Sequence, residues 1–351
     1  MTSTDTTGVA ATGRRTLLRA GLALGGTALI GGLPGRARAA APGRINIAYF
    51  ASTSPTMVAK GGGWIEDMTK AKVNWIEVGS GAEINTAVAA GSVDIGIGIG
   101  SSPTAAGIAQ DIGYQVIGML DNIGPAEEMS VRTAANIKTP ADFKGKKLAT
   151  PFGSTSHFRL MGFLKVNGMT QRDVTLLDMR PDAIVAAWQR GDIDAAYVWN
   201  PAKSKILENG GEVFRTYDRL EAAGYVIADL LIARTAFTQA YPDAVAAVMK
   251  ACNRSFEMWK SQPDQAAEII GKQVGVSAQT ARADLQQYDF VSPQDQIKPE
   301  WLGPPGQGGR FAEVLHGTAQ FLVGQRSIRA APSVEVFRKA IDTTPLAQSL
   351  A

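Results

Sequence analysis

Residues 185–201, VAAWQRGDIDAAYVWNP, decide the fold of this chain. The stretch begins as an apolar helix end and stops at Gly191, the residue type that most easily takes the left-handed conformation closing a helix. A β-rich run, Ala195–Trp199, follows, and Pro201 can open a further helix. The stretch therefore predicts a helix, a strand and a second helix in succession, as in an α/β unit.

The same order of residue types occurs earlier, in residues 87–103, AVAAGSVDIGIGIGSSP. Here Gly91 is predicted to end a helix, residues 93–99 to form a strand, and Pro103 to open the next helix. Two such units suggest two lobes, each directing a helix N-terminus at one ligand. The alternative is that any two α/β crossovers look alike and that the repeat has no functional meaning.

The chain has 351 residues, which suggests about two domains. Its formal net charge of +3 depends on the first 39 residues, which hold five of the 35 basic and one of the 32 acidic residues. Without them the net charge is −1, so the composition does not support binding to nucleic acid or to an anionic membrane.

Residues 1–39 have the pattern of a signal peptide. Arg14 and Arg15 resemble a twin-arginine signal, an apolar run follows, and Ala37 and Ala39 stand where a signal peptidase reads small residues. We expect cleavage after Ala39 and a periplasmic location reached through the twin-arginine pathway. An anchoring helix is the alternative, but the apolar run is short and rich in glycine.

Neither a cofactor nor a metal site is expected. Cys252 is the only cysteine and stands in an apolar helical run, so we interpret it as a core thiol. The only histidines, His157 and His316, form no cluster with cysteine of the kind that holds zinc. We interpret His157 either as a support behind the site residues or as part of a helix start.

Strands alternate with helices along the chain, which indicates a parallel or mixed α/β sheet. Asn-Ile-Gly-Pro at 122–125 interrupts the pattern, and an apolar run at 222–233 is predicted to carry the chain back to the first lobe. The predicted domains are the signal peptide, 1–39; the first part of lobe 1, 40–127; lobe 2, 128–224; and the return strand with a helical tail that completes lobe 1, 225–351.

Three blocks resemble the nitrate/sulfonate/taurine family of substrate-binding proteins of ABC importers: 87–103, 147–157 (KLATPFGSTSH) and 181–201. The run AAWQRGDID followed by AYVW is typical of the taurine branch. The resemblance covers nearly all of residues 44–345, less closely in the helical tail. It implies a type II periplasmic binding protein, with two α/β lobes joined by two crossing strands and the ligand in the cleft. It also implies an ABC permease and its ATPase as partners; we expect a monomer.

Two hydroxyl-rich helix starts are candidates for an anion site. Residues 100–103 (GSSP) and 152–157 (FGSTSH) each follow a strand, where free backbone N–H groups and the helix dipole favour an anion. Simple helix capping is the alternative, although one hydroxyl would suffice for it. The resemblance assigns a sulfonate to Ser101, Ser102, Thr155 and Ser154.

Two carboxylates are candidates for the other end of the ligand. Asp229 lies in the apolar run VIADLLI and needs a partner there, either a structural cation or a ligand ammonium. The resemblance supports the ammonium, because taurine-binding relatives carry Asp at the matching position. The family also keeps an acid matching Glu127, for which a solvated or structural role remains open.

Aromatic residues complete the predicted site. Trp199, at a strand end, can cover the ligand's ethylene part or contact its ammonium by a cation–π interaction; core packing is the alternative. Phe50 ends the first strand, where taurine-binding relatives tend to have a polar residue.

The sequence therefore predicts a protein that binds taurine or a close aminosulfonate by lobe closure and performs no chemical step. One alternative is a binding protein for alkanesulfonates in general or for another small anion. Another is an enzyme of the same fold that makes the thiamine pyrimidine, which uses His and a Cys-rich iron motif that this chain lacks.

Overall fold

A computed structural model describes residues 41–351. The predicted signal peptide and its twin-arginine motif lie outside the described residues. Eleven strands are present within the described range. They are β1 Arg44–Tyr49, β2 Lys72–Glu77, β3 Ile95–Gly100, β4 Tyr114–Asn122, β5 Glu127–Arg132, β6 Lys147–Thr150, β7 Thr175–Asp178, β8 Ala195–Trp199, β9 Gly211–Phe214, β10 Ala228–Arg234 and β11 Asp289–Phe290.

The strands form two mixed sheets. The first has the order β11-β4-β10-β3-β1-β2, and the second has the order β7-β6-β8-β5-β9. In the first sheet β1 is parallel to β2 and β3, whereas β10 runs antiparallel to β3 and β4. In the second sheet β6 is parallel to β7 and β8, whereas β5 runs antiparallel to β8 and β9.

Helices cover these sheets. They are α1 Thr56–Gly61, α2 Trp64–Thr69, α3 Gly81–Ala89, α4 Ser101–Ala109, α5 Thr155–Val166, α6 Pro181–Arg190, α7 Ala202–Glu208, α8 Tyr217–Ala222, α9 Thr235–Ala240, α10 Pro242–Ser261, α11 Pro263–Val274, α12 Ala278–Leu285, α13 Pro293–Gln296, α14 Phe311–Gly324, α15 Val334–Lys339 and α16 Thr344–Leu350. Between residues 41 and 351, every helix is too short or too polar to span a lipid bilayer.

The stretch that decided the prediction folds as expected. Helix α6 ends at Arg190, Gly191 takes the left-handed conformation with φ of 79°, and β8 follows. In the earlier repeat, the prediction that Pro103 opens the helix was wrong. Helix α4 begins at Ser101 and holds Pro103 in its first turn, where the missing N–H of proline costs nothing.

Two connections join the sheets. The chain leaves β4, passes through a 3-10 turn at Gly124–Ala126 and enters β5 directly. It returns between β9 and β10, where the predicted single run at 222–233 is instead the end of α8, a turn at Gly224 and the strand β10. Glycine with φ of 87° reverses the chain there and delays the strand.

The helical tail packs largely on the first sheet. Val245 and Val248 of α10 are buried in one apolar cluster with Ile45 and Ile47 of β1. On α14, by contrast, the ring of Phe321 contacts Phe158 and Tyr225, which belong to the apolar cluster of the second sheet. The lobe boundaries given above, and the motion of one lobe against the other, stay predictions.

Candidate functional site

A cleft of about 370 Å³ lies where the edges of the two sheets meet. Six of the eight predicted site residues line it, and they come from the residue after β1, from β5, β8 and β10, and from the start of α5. These six are Phe50, Glu127, Ser154, Thr155, Trp199 and Asp229. The fold thus brings together hydroxyls, carboxylates and two aromatic rings that are distant in sequence.

Ser101 and Ser102, the other two predicted residues, do not line this cleft. Ser101 is fully buried, and its hydroxyl accepts a hydrogen bond from the Ala228 N–H at 3.3 Å. The hydroxyl of Ser102 donates to the carbonyl of Ser154 at 3.1 Å. Both hydroxyls hold neighbouring segments together, and the wall of the cleft at this point is formed by Gly100 and Pro103 instead.

The start of α5 contributes two hydroxyls with different roles. Ser154 is the helix cap, since its hydroxyl oxygen accepts from the His157 N–H at 3.1 Å while donating to the Pro151 carbonyl at 2.6 Å. Thr155 donates from its hydroxyl to Oε2 of Glu127 at 2.7 Å. Of the two, Thr155 is therefore the hydroxyl that connects directly to the charged groups of the cleft.

Glu127 is buried at the first residue of β5, opposite Trp199 of β8. Burial removes water from its carboxylate and raises its pKa to about 7. The hydrogen bonds from Thr155 and Ser156 and the positive charges of Arg159 and Lys203 oppose this rise. The carboxyl thus exchanges protons near neutral pH.

Asp229 and Asp121 face the same region from adjacent strands, because β10 and β4 pair them directly. Asp229 is partly exposed in the cleft, whereas Asp121 is almost fully buried. Burial raises the pKa of both carboxyls, and repulsion from Asp229 and Glu127 raises that of Asp121 further. Within residues 41–351, Oδ1 of Asp121 makes no hydrogen bond. Two acidic side chains therefore share this region, close to Glu127.

Sequence reasoning missed Asp121 and two buried cations beside Glu127. Arg159 of α5 is fully buried, and Lys203 of α7 is nearly so. The Lys203 ammonium donates to the carbonyl of Pro125 and, at 2.7 Å, to Oε1 of Gln287. The signal that could have found Asp121 and Arg159 was present, since each is a charge in an otherwise apolar run, as Asp229 is.

Phe50 and Trp199 form one wall of the cleft. Their rings meet edge to face, with centroids 5.7 Å apart and planes at 88°. Both side chains are about nine-tenths buried. Because Phe50 follows β1 and Trp199 ends β8, this wall joins the first sheet to the second.

Other contacts near the cleft join the two halves of the protein, meaning the part built on the first sheet and the part built on the second. A Cβ atom added to Gly153, which precedes α5, would lie 2.7 Å from the Cβ of Ala82 in α3. At the rim, Arg180 and Glu83 form an ion pair at 2.8 Å. Beside Gly153, within the second half alone, the ring of His157 stacks on Phe152 at 4.3 Å, and burial lowers the pKa of His157 to about 4, so its ring is neutral there. The interpretation of His157 as part of a helix start fits this position.

Comparison with known proteins shows the family to which this chain belongs. Residues 51–266 match the model of a family described as NMT1/THI5 like. The chain belongs to this family. It is 31% identical over 293 residues to the taurine-binding periplasmic protein of Escherichia coli (strain K12), covering 82% of this chain and 88% of that protein. It is 30% identical over 236 residues to a putative aliphatic sulfonates-binding protein of Bacillus subtilis (strain 168), covering 64% and 68%.

A solved structure extends the comparison. The alkanesulfonate-binding protein SsuA from Xanthomonas axonopodis pv. citri, bound to MOPS, superposes with a TM-score of 0.70 over 86% of this NMT1/THI5-like chain and 99% of that chain. The two are 22% identical, so the likeness shows the fold alone. The predicted type II periplasmic binding protein fold is confirmed, with two α/β sheets, two connections and a cleft between them.

Proposed function

We propose that this chain is the periplasmic substrate-binding component of an ABC importer that captures taurine or a related aminosulfonate and delivers it to the membrane permease. The observation that carries the proposal is that one cleft holds the carboxylates of Asp229 and Glu127 together with a hydroxyl-bearing helix start, where Thr155 donates to Glu127 at 2.7 Å. A zwitterion with an ammonium and a sulfonate can pair with both kinds of group.

The ammonium is assigned to the side formed by Asp229, Asp121 and Glu127. Three carboxylates near one another repel, and burial makes each charge costly. A ligand ammonium relieves the repulsion that remains after the charges of Arg159 and Lys203 have acted on Glu127. An uncharged or purely anionic ligand leaves it in place.

The sulfonate is assigned to the start of α5, where Thr155 lies at the N-terminal end of a twelve-residue helix. The helix dipole and free N–H groups of the first turn attract an anion there. Ser101 and Ser102 remain in the proposal only through the backbone N–H groups that open α4, between Gly100 and Pro103 of the cleft wall, since both hydroxyls have protein partners.

The rival is a general alkanesulfonate binder, and the name of the Bacillus subtilis relative supports it. The two proposals differ in whether the protein recognises the amine of the ligand. Replacing Asp229 with Asn keeps the shape of the side chain but removes its charge. Taurine binding is then expected to weaken by about 2–5 kcal/mol, the range for removing one side of a buried charge pair. Ethanesulfonate, which lacks the amine, is expected to bind equally or better.

Isothermal titration calorimetry on both ligands measures this, with Asp192→Asn as the matched control. Asp192 lies in an exposed turn and pairs with Arg190, so its replacement removes the same charge and one exposed ion pair without touching the cleft. If taurine and ethanesulfonate weaken equally in Asp229→Asn, or if the unaltered protein prefers ethanesulfonate, the protein is a general sulfonate binder.

The proposal also covers how the protein binds its ligand and how it is exported. The chain acts as a monomer by closing its lobes on the ligand, with no chemical step, after leaving the cytoplasm through the twin-arginine pathway. The relatives named as binding proteins support the first part, and Arg14 and Arg15 support the second. Replacing both arginines with lysine should leave uncleaved precursor in the cytoplasm. Normal export of that variant would refute this route.

A further inference from the structure

A second cavity adjoins the ligand cleft on the far side of two aromatic rings. Counting the parts open to solvent, it spans about 1160 Å³, against about 370 Å³ for the cleft itself. Phe50 and Trp199 line both spaces. Since the rings meet edge to face and are about nine-tenths buried, they form the partition between a small inner site and a larger outer one.

Both halves of the protein build the outer cavity, as they build the cleft. The first half supplies Val78 and Gly79 after β2 and Val274 at the end of α11. The second half supplies one side of α6, including Val185 and Ala186. The outer cavity therefore continues the space between the lobes.

The chemistry of the outer cavity differs from that of the inner site. Val78, Val185, Ala186 and Val274 give it apolar surface, whereas its charged side chains, such as Arg180 and Lys205, reach solvent at the rim. The three carboxylates of the ammonium side are not among its lining residues. The apolar part of this space suits an apolar substituent.

We propose that Phe50 and Trp199 set the upper size limit of the ligand, and that the outer cavity is a subsite for an apolar nitrogen substituent that the two rings exclude. The inference rests on the proposed function, because it assumes an aminosulfonate in the inner site. The rings admit taurine and reject its bulky derivatives because the inner site ends at the partition. With either ring removed, the two spaces become one.

The test compares taurine with N-cyclohexyltaurine, which keeps the amine and the sulfonate and adds a six-carbon ring. The measured quantity is the ratio of their dissociation constants for each variant, so that a partly unfolded sample affects both ligands equally. The unaltered protein is expected to favour taurine. Trp199→Ala and, independently, Phe50→Ala should shift the ratio at least tenfold toward the larger ligand, because each buried methylene is worth about fourfold in affinity.

Two controls separate a partition from a general loss of packing. Trp75 forms a similar edge-to-face pair with Tyr49, at 5.6 Å and 88°, but lines neither space. Trp75→Ala should leave the ratio unchanged. Ala186 lines the outer cavity alone, so Ala186→Phe should leave taurine binding unchanged. Combined with Trp199→Ala, it should cancel the gain for N-cyclohexyltaurine.

The outcomes separate this inference from the proposed function. If the unaltered protein binds taurine and the larger ligand alike, or if neither ring variant shifts the ratio, the partition is refuted while the proposed function stands. A shift that Ala186→Phe does not cancel refutes the outer subsite. If the unaltered protein binds neither aminosulfonate, the proposed function fails and this inference fails with it.

Discussion

Glu127 is a residue whose ionisation the fold opposes. It is buried, and its pKa is raised from 4.5 to about 7. Between these values the folded state holds a proton that the unfolded state has released, so the free energy of unfolding falls as the pH rises. The loss is complete above the pKa of the folded state and amounts to about 3 kcal/mol. The ligand-free protein is therefore expected to be less stable in mildly alkaline than in mildly acidic solution.

Glu127→Gln should remove this dependence, because the amide can still accept the hydrogen bond from Thr155 but does not ionise. Relative to the unaltered protein, its stability should improve by up to about 3 kcal/mol more at about pH 8 than at about pH 5. Urea titrations without ligand measure the difference. Glu268→Gln, on the exposed surface of α11, controls for the change in net charge. An equal difference at both pH values would contradict the prediction.

Residue types in their local sequence predicted part of the cleft. Asp229 attracted attention because a lone carboxylate in an apolar run needs a partner, and it does line the cleft. The same sequence could not show that the Ser101 hydroxyl pairs with the Ala228 N–H, 127 positions away. Which hydroxyl is available to a ligand is decided by such tertiary partners, and that information is absent from a local motif.

At the scale of elements, substitutions in the turn before α5 can show whether contact between the two halves affects ligand binding. Gly153 has φ of 69° and lies against Ala82 of α3, so it has two reasons to be glycine. Gly168, after the same helix, has φ of 67° and open space around its Cα. The two glycines share a backbone conformation and differ in their surroundings.

Gly153→Ala and Gly168→Ala should each cost about 1–2 kcal/mol of stability through backbone strain. In addition, Gly153→Ala should weaken taurine binding by about five- to a hundredfold, because the added methyl group overpacks the contact with Ala82. Chemical unfolding and calorimetry measure the two effects. Equal taurine affinities in the two variants would show that this contact plays no part in binding.

Elements were predictable where the residue pattern is periodic or a glycine closes a helix, as at α6, Gly191 and β8. The two-residue strand β11 was not predicted, because Asp289 and Phe290 form it only by pairing with Asn122 and Asp121 of β4. A strand this short has no pattern of its own. The partner strand decides its existence, and the partner is distant in sequence.

For the whole molecule, the repeated α/β unit was enough to predict two sheets and a cleft. It could not predict the hydrogen bonds by which the helical tail connects the two halves, called the tie below. Gln287, after α12, accepts a hydrogen bond from Lys203 of α7 at 2.7 Å, and Lys203 also donates to Pro125 in the first connection. Nearby, Ser204 donates to Asp284. One buried ammonium thus joins the second half, a connection and the tail.

Gln287→Ala should test whether this tie stabilises the molecule as a whole. The substitution leaves the buried ammonium of Lys203 with one fewer partner, which should cost about 1.5–3 kcal/mol, the range for hydrogen bonds to charged groups. Gln286→Ala, one position earlier on an exposed side chain, should change stability by less than about 0.5 kcal/mol. Urea unfolding of both variants, followed by fluorescence and by circular dichroism, measures the free energies.

The shape of these unfolding transitions shows whether the two halves unfold together. If the tie couples the two halves, Gln287→Ala should lower the midpoint for both probes alike, with an unchanged slope, because one cooperative unit has lost stability. Transitions that separate between the probes would mean that the halves unfold independently once the tie is weakened. A stability equal to that of Gln286→Ala would show that Lys203 finds another partner, and the tail would then contribute only through its apolar contacts.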